Sequence, residues 1–365
     1  MTRKSRLSLP PLSRRKLMAG LCIADLTRLS FATTIMTAPR KVIIDTDPGV
    51  DDALALLFAM CSPELQIEAI TVVAGNVRLD LGLLNALRMI QIAGRHDIRV
   101  SAGAQAPLER RLVTATSHGS NGLGGLDFPV PTSKPVDEPA TEIIKSVVSD
   151  SPGEVSIIGI GPLTNVASAL RAYPNLGKQV REIVVMGGSL SGGNMTPAAE
   201  FNMYVDPEAA SIVFESGVPL TMVGLDVTRK CILTEEHVRA LAIGSGAISQ
   251  AAARIAKNDL ERARQGGLDS RAMHDPVAVA AFIDRALVNL RQYFVAIETR
   301  GELTAGETVG YREAPIRRSA SYQSSSGNSE TAGAYLPNAN VAVDVDAERF
   351  FRMFVGRLSG KQATA

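Results

Sequence analysis

From Lys41 onward, short runs of β-branched residues alternate with longer stretches of helical period, and this rhythm restricts the possible folds more than any other feature of the chain. Lys41-Val42-Ile43-Ile44 precedes a helical stretch from Ala53 to Met60, and Ala69 to Val73 precedes Leu81 to Ala93. The order repeats with Val155 to Ile158 before Leu163 to Leu170, Glu182 to Val185 before Pro207 to Phe214, and then Leu220 to Val223. Strands that are apolar along their whole length have no side to give to water, so they belong in a mainly parallel open sheet with helices on both faces. The expected class is α/β, as a single large domain from about residue 40 to 360. Gly301 to Asn340, rich in Ser, Gly and Pro, reads as a long surface excursion. Val341 to Val345 and Ala347 to Leu358 read as a last strand and helix that rejoin the core.

Residues 1–39 stand apart as a basic N-terminal extension in which Asp25 is the acid. Ser13-Arg14-Arg15-Lys16-Leu17-Met18 and the apolar run after it resemble a twin-arginine export signal, which implies a periplasmic address. The alternative is a disordered extension on a cytoplasmic protein. No stretch has the roughly 20 uninterrupted apolar residues of a membrane-spanning helix, so no membrane partner is expected. Thirty-eight Lys and Arg against 37 Asp and Glu leave a net charge of +1, which gives no global field to gather nucleic acid. Cys22, Cys61 and Cys231 have no metal-type spacing and the chain holds only 4 His, so any metal is expected on oxygen rather than on soft ligands.

Chemistry is concentrated where strands end. The first strand runs into Asp45-Thr46-Asp47-Pro48-Gly49-Val50-Asp51-Asp52, four carboxylates around a forced turn. Like charges this close require protonation or a cation, and the carboxyl end of a parallel strand is where ligands enter such sheets. Carboxylates and backbone oxygens suit a hard ion, Ca²⁺ or Mg²⁺. The plainer reading, that Asp51 and Asp52 cap the helix, leaves Asp45 and Asp47 unexplained. Three other loops follow strands in the same way: Ala74-Gly75-Asn76, Ile160-Gly161-Pro162-Leu163-Thr164-Asn165, and Gly187-Gly188 leading to Asn194. Glu200-Phe201-Asn202 adds groups of the kind that bind vicinal hydroxyls. At Met273-His274-Asp275-Pro276 two readings stay open: Asp275 is a helix N-cap, or His274 is a proton donor beside a metal ligand.

Taken in order, Asp45 to Ala53, Val73 to Asn76, Gly161 to Asn165, Met186-Gly187-Gly188, Glu200-Phe201-Asn202 and His274-Asp275-Pro276 resemble the inosine-uridine preferring nucleoside hydrolases over about residues 41 to 358. That resemblance implies hydrolysis of the N-glycosidic bond of a small-molecule ribonucleoside to free base and ribose. It implies Ca²⁺ held by Asp47, Asp52, Asp275 and the carbonyl of Ile160, with Asp47 activating a calcium-bound water. Asp51, Asn76, Asn194, Glu200, Phe201 and Asn202 would surround the ribose, Met186 would pack against it, and Asp45 would support the cluster. His118 and His274 would lie near the base, with His274 as acid. A homodimer or homotetramer is the expected assembly. The chemistry is coherent with these roles, because a breaking N-glycosidic bond makes the sugar oxocarbenium-like and carboxylates favour that state over the neutral substrate.

The chain departs from the family in its aromatic residues. Trp is absent, and no Phe, Tyr or Trp occurs from Glu215 to Ala281. Asn258 and Arg262 stand where relatives place base-contacting side chains, so Arg262 is expected to select an anionic or unusual leaving group. Two rivals fit parts of the sequence. A haloacid-dehalogenase-like phosphatase would use Asp45 and Asp47 as nucleophile and acid, and a calcium-dependent ribose-binding protein would use the same cage without turnover.

Overall fold

The computed structural model describes residues 38–268, 270–312 and 336–360, so the N-terminal extension and the middle of the Gly301 to Asn340 segment lie outside the described residues. The strands are β1 (Arg40–Thr46), β2 (Leu65–Val72), β3 (Arg99–Ala102), β4 (Ser156–Gly159), β5 (Glu182–Met186), β6 (Leu220–Val223), β7 (Ile232–Leu233), β8 (Arg271–Ala272), β9 (Val288–Ile297), β10 (Thr308–Tyr311) and β11 (Ala339–Val345). The helices are α1 (Val50–Met60), α2 (Leu79–Ala93), α3 (Ala140–Asp150), α4 (Thr164–Ala172), α5 (Phe201–Val205), α6 (Pro207–Phe214), α7 (Leu225–Thr228), α8 (Glu235–Ala242), α9 (Ala247–Gln265), α10 (His274–Ile283) and α11 (Ala347–Leu358).

Nine strands form one sheet in the order β10-β9-β11-β6-β5-β4-β1-β2-β3, and β7 and β8 form a separate antiparallel ribbon. From β11 to β3 every pairing is parallel, whereas β9 runs antiparallel to both its neighbours. The apolar runs are explained by burial on both faces. On β1, Val42 and Ile44 join the core under α1, α2, α9, α10 and α11, while Ile43 points into the core under α3, α4 and α6.

The strand order also fixes where the site must be. The chain moves outward from β1 to β2 and β3, then returns to lay β4 on the other side of β1 and continues to β5 and β6. The loops after β1 and β4 therefore diverge to opposite faces and leave a crevice between them. Asp45 to Asp52 leaves one of these strands and Ile160 the other.

The structure corrects the sequence reading at one place and decides an open alternative at another. Gly301 to Asn340 is not an excursion throughout, because Thr308–Tyr311 pairs with Phe294 to Ile297 as the edge strand and Ala339 already belongs to β11. The helix at Met273-His274-Asp275-Pro276 begins at His274, with Met273 at the N-cap. Asp275 thus sits inside the first turn and is not the cap.

Candidate functional site

The crevice holds a cleft of about 730 Å³, within the range of sites for nucleoside-sized molecules. Its lining brings together Asp51, Asn76, His118, Ile160, Met186, Asn194, Glu200, Phe201, Asn202, His274 and Asp275, all of them candidates from the sequence. Asp45, Asp47 and Asp52 do not line it. They lie directly under it, 0% exposed.

Asp52 is held from four directions. Its Oδ1 accepts from Thr46 Oγ1 (2.6 Å) and the Asp47 amide (3.3 Å), and its Oδ2 from the Gly49 amide (3.0 Å) and Asn76 Nδ2 (2.9 Å). The bond from Gly49 is the capping interaction of α1, so the capping reading is correct for Asp52. It does not account for the other three acids. Asp45 Oδ1 accepts from Thr71 Oγ1 (2.5 Å) and Asn165 Nδ2 (2.8 Å), and Asp47 Oδ2 from the Asn76 amide (2.6 Å). The second oxygens, Asp45 Oδ2 and Asp47 Oδ1, and also Asp51 Oδ1, are buried without a hydrogen-bond partner among the described residues.

These orphaned acceptors are the test of whether a cation suits the site. Carboxylate oxygens of Asp51, Asp52 and Asp275 lie within 4.8 Å of one another. Burial pushes the Asp275 carboxyl well above its ordinary range, and the charges of Asp51, Asp52 and Asp47 push it further. Asp47 is driven up first by burial and then by Asp52. A buried acid group of this kind, with all-oxygen donors and spare lone pairs, suits a hard divalent cation. The geometric trio contains Asp51, which the sequence reading gave to the sugar, whereas Asp47 stands behind Asn76 and Gly161.

The backbone is fitted tightly to this cluster. A Cβ on Gly75 would lie 2.1 Å from Asp47 Oδ2, and one on Gly49 would lie 2.7 Å from His118 Nδ1. Only glycine allows these loops to close on the acids.

The remaining side chains are aimed by local bonds. Asn202 Nδ2 donates to the carbonyls of Ile160 (3.0 Å) and Met186 (3.1 Å), tying the β4 and β5 loops together and leaving its Oδ1 as the free acceptor. Glu200 is the N-cap of α5, and its Oε2 accepts from the amides of Gly188 (3.1 Å) and Met203 (3.2 Å). Burial raises its pKa to about 7. Asn194 Oδ1 accepts from the Phe201 amide at 2.9 Å. His118 Nδ1 accepts from the Val50 amide (3.1 Å), which leaves Nε2 as the ring's N–H in the neutral form. His274 Nδ1 lies 2.8 Å from Thr228 Oγ1, and burial lowers its pKa against the opposing pull of Asp51. His96 and His237 lie away from the cleft, bonded to Ser133 and Thr234.

Arg262 does not reach the cleft as expected. Its Nη1 and Nη2 bond the carbonyls of Gly124 (3.5 Å) and Ser117 (3.3 Å), and Asn258 Nδ2 bonds the same Gly124 oxygen (3.1 Å). Both residues tether the loop that carries His118. The cations that line the cleft are Arg229 and Arg271, with Asp259 beside Arg271. Sequence reasoning missed all three, because Asp259 and Arg271 meet only when β8 folds back over α9 and no local pattern marks that contact.

An open α/β sheet with an acid-lined crevice at its topological switch, fringed by amides and imidazoles, is the setting of a hydrolase that acts on a small polar molecule. Residues 42–352 match the family described as inosine-uridine preferring nucleoside hydrolase, and the chain belongs to that family. It is 40% identical over 321 residues to a pyrimidine-specific ribonucleoside hydrolase, RihA, of Citrobacter koseri, a match covering 87% of this chain and 97% of that enzyme. The corresponding protein of Salmonella arizonae is 41% identical over the same shares. Among solved structures, a plant nucleoside hydrolase superposes with a TM-score of 0.79 at 33% identity, covering 88% of this chain and 99% of that one. A purine-preferring ribonucleoside hydrolase from Gardnerella vaginalis gives 0.78 at 31% identity, covering 89% and 100%.

Proposed function

We propose that this nucleoside hydrolase cleaves pyrimidine ribonucleosides to free base and ribose, with Ca²⁺ held by Asp47, Asp52, Asp275 and the Ile160 carbonyl. The observation that carries the reading is the set of orphaned carboxylate oxygens beneath a cleft lined with hydroxyl-binding amides. Its pyrimidine direction is supported by the names of the enterobacterial relatives and by the lack of any Trp to sandwich a purine. Bound there, calcium would neutralise the acids and orient the attacking water.

The chain's own residues do the rest. Asp51, Asn76, Glu200 and Asn202 take the ribose hydroxyls, with Asn194 bracing the Phe201 loop and Met186 under the ring. As the C1′–N bond stretches, the sugar becomes cationic, and the surrounding carboxylates stabilise that state more than the neutral ground state. Asp47, through the Oδ1 that has no other partner, takes the proton from the attacking water. Burial lowers the pKa of His274 and so favours its neutral ring, whose N–H hydrogen-bonds the departing base. His118 lines the same opening. Self-association as a dimer or tetramer belongs to this reading, and light scattering checks it.

The test is a panel of ribonucleosides and deoxyribonucleosides assayed for free base and reducing sugar, with and without chelator. Uridine and cytidine are expected to be cleaved in preference to purine nucleosides. Chelation should abolish turnover, and Asp47→Asn should lower kcat by about 10²- to 10⁴-fold. Full activity in Asp47→Asn would remove the base from the mechanism, and activity untouched by exhaustive chelation would remove the cation.

A further inference from the structure

The cleft lining comes from two chemically different sets of segments. Asp51, Asn76, Glu200 and Asn202 belong to segments that follow β1, β2 and β5, whereas Ser117, Leu268, Ser270 and Arg271 belong to the 117 loop and the α9–β8 segment, and Ser117, Leu268 and Arg271 also line a neighbouring depression. If the sugar occupies the acid-rich lining, as the hydrolase reading on which this inference rests requires, the leaving base lies toward Arg271.

Arg271 is unlike the other arginines of this region. Arg262 is committed to the carbonyls of Ser117 and Gly124, and Arg229 to that of Gly193. Arg271 is fixed at one point only, where its Nε donates to Asp259 Oδ1 at 3.0 Å, while Nη1 and Nη2 meet no hydrogen-bond acceptor among the described residues. Its side chain is 22% exposed and that of Asp259 13%, so the pair is set into the wall and does not wave in solvent. β8, paired with β7, fixes the backbone beneath it, and Asp259 comes from α9. The result is a guanidinium fork in the cleft lining whose Nη1 and Nη2 have no acceptor among the described residues. A second depression of about 400 Å³, bounded by Arg262, Gly266 and Leu268, opens on the other side of Arg271.

We propose that Arg271, braced by Asp259, is a specificity-determining residue that donates hydrogen bonds to a carbonyl oxygen of the leaving base. When the C1′–N bond breaks, its electron pair moves into the base, and in an oxo-base that charge is delocalised onto the ring carbonyls. A guanidinium is a donor only and is charged at every relevant pH, so it strengthens its hold as charge develops on oxygen. It gives nothing comparable to a base without a carbonyl. Arg271 therefore discriminates, whatever rate each nucleoside has, between a base that carries a ring carbonyl and the same base without it.

The experiment compares wild type, Arg271→Gln, Arg271→Lys and Asp259→Asn on uridine, inosine and purine riboside, which differs from inosine by the carbonyl, and adds competitive inhibition by D-ribose, which has no base. Arg271→Gln is expected to lose about 10- to 100-fold in kcat/KM on uridine and inosine, the range for a hydrogen bond to a charged group. Its rate on purine riboside and its inhibition by ribose should stay within about twofold. Arg271→Lys should recover part of the loss, and Asp259→Asn should raise KM on the oxo-nucleosides. An equal loss on all three nucleosides, or weaker ribose inhibition in step with it, would mean that Arg271 only supports the wall and overturns the assignment. A wild-type chain inert to every nucleoside would instead sink the hydrolase reading, and this inference with it.

Discussion

Asp45 shows at the scale of one residue what the cluster costs. One of its oxygens is satisfied by Thr71 and Asn165, the other is buried without a partner, and burial raises its pKa to about 7, as it does for Glu200. An acid whose pKa is higher folded than unfolded binds more protons in the native state. In the metal-free protein, stability is therefore present at low pH and is lost as pH rises from about 4 to about 7. Thermal unfolding of chelated protein at pH 5 and pH 8 should give the lower Tm at pH 8, and Asp45→Asn should flatten the difference; a Tm independent of pH would contradict the assignment. The acid-rich turn at the site was legible in the sequence because four carboxylates around Pro48-Gly49 admit few explanations. Which three oxygens would converge was not, because Asp51 and Asp47 are separated by how Asn76 and Gly161 pack, and that is decided by other loops.

Among elements, the turns that leave the strands matter more than the strands themselves. The loop after β2 carries Gly75 over Asp47, and a methyl there would overlap both Asp47 Oδ2 and the Pro162 ring, at 2.1 and 2.8 Å. Gly75→Ala is expected to lower kcat by about 10²-fold or more by displacing the base, the scale of a misplacement near 1 Å, with the far-UV spectrum unchanged; wild-type kinetics in that variant would show that the loop yields freely. Elements buried on both faces were readable almost to the residue: Pro207–Phe214 and Leu220–Val223 stand as the sequence suggested. β9 was not, since on Val288–Ile297 buried and open positions mix without a clean alternation and its antiparallel course carries no βαβ signal. The Arg262 expectation failed for a related reason. Position along α9 was legible, but the loop at 117–124 that captures the guanidinium comes from more than a hundred residues earlier.

At the scale of the whole molecule, the site is a meeting point of segments spread from Asp45 to Asp275, so ligand binding and global folding are linked. A cation that binds only the assembled cluster stabilises the native state by mass action, about 2.7 kcal/mol at a hundredfold excess over Kd. Calcium titration of the chelated protein should raise Tm progressively in a single transition, while Asp275→Asn should blunt the rise; an unmoved Tm across the titration would separate the ion from the fold.

The placement of β11 has a further consequence. The strand latest in chain order among the described residues is not added at a margin but slotted between β6 and β9. Until it arrives, two rows of amides and carbonyls stand open in the middle of the molecule, and a nascent or prematurely terminated chain would present them to its neighbours as adhesive borders. Translation must therefore pass β11 before the sheet can be closed, and a chain truncated before Ala339 is expected to be insoluble.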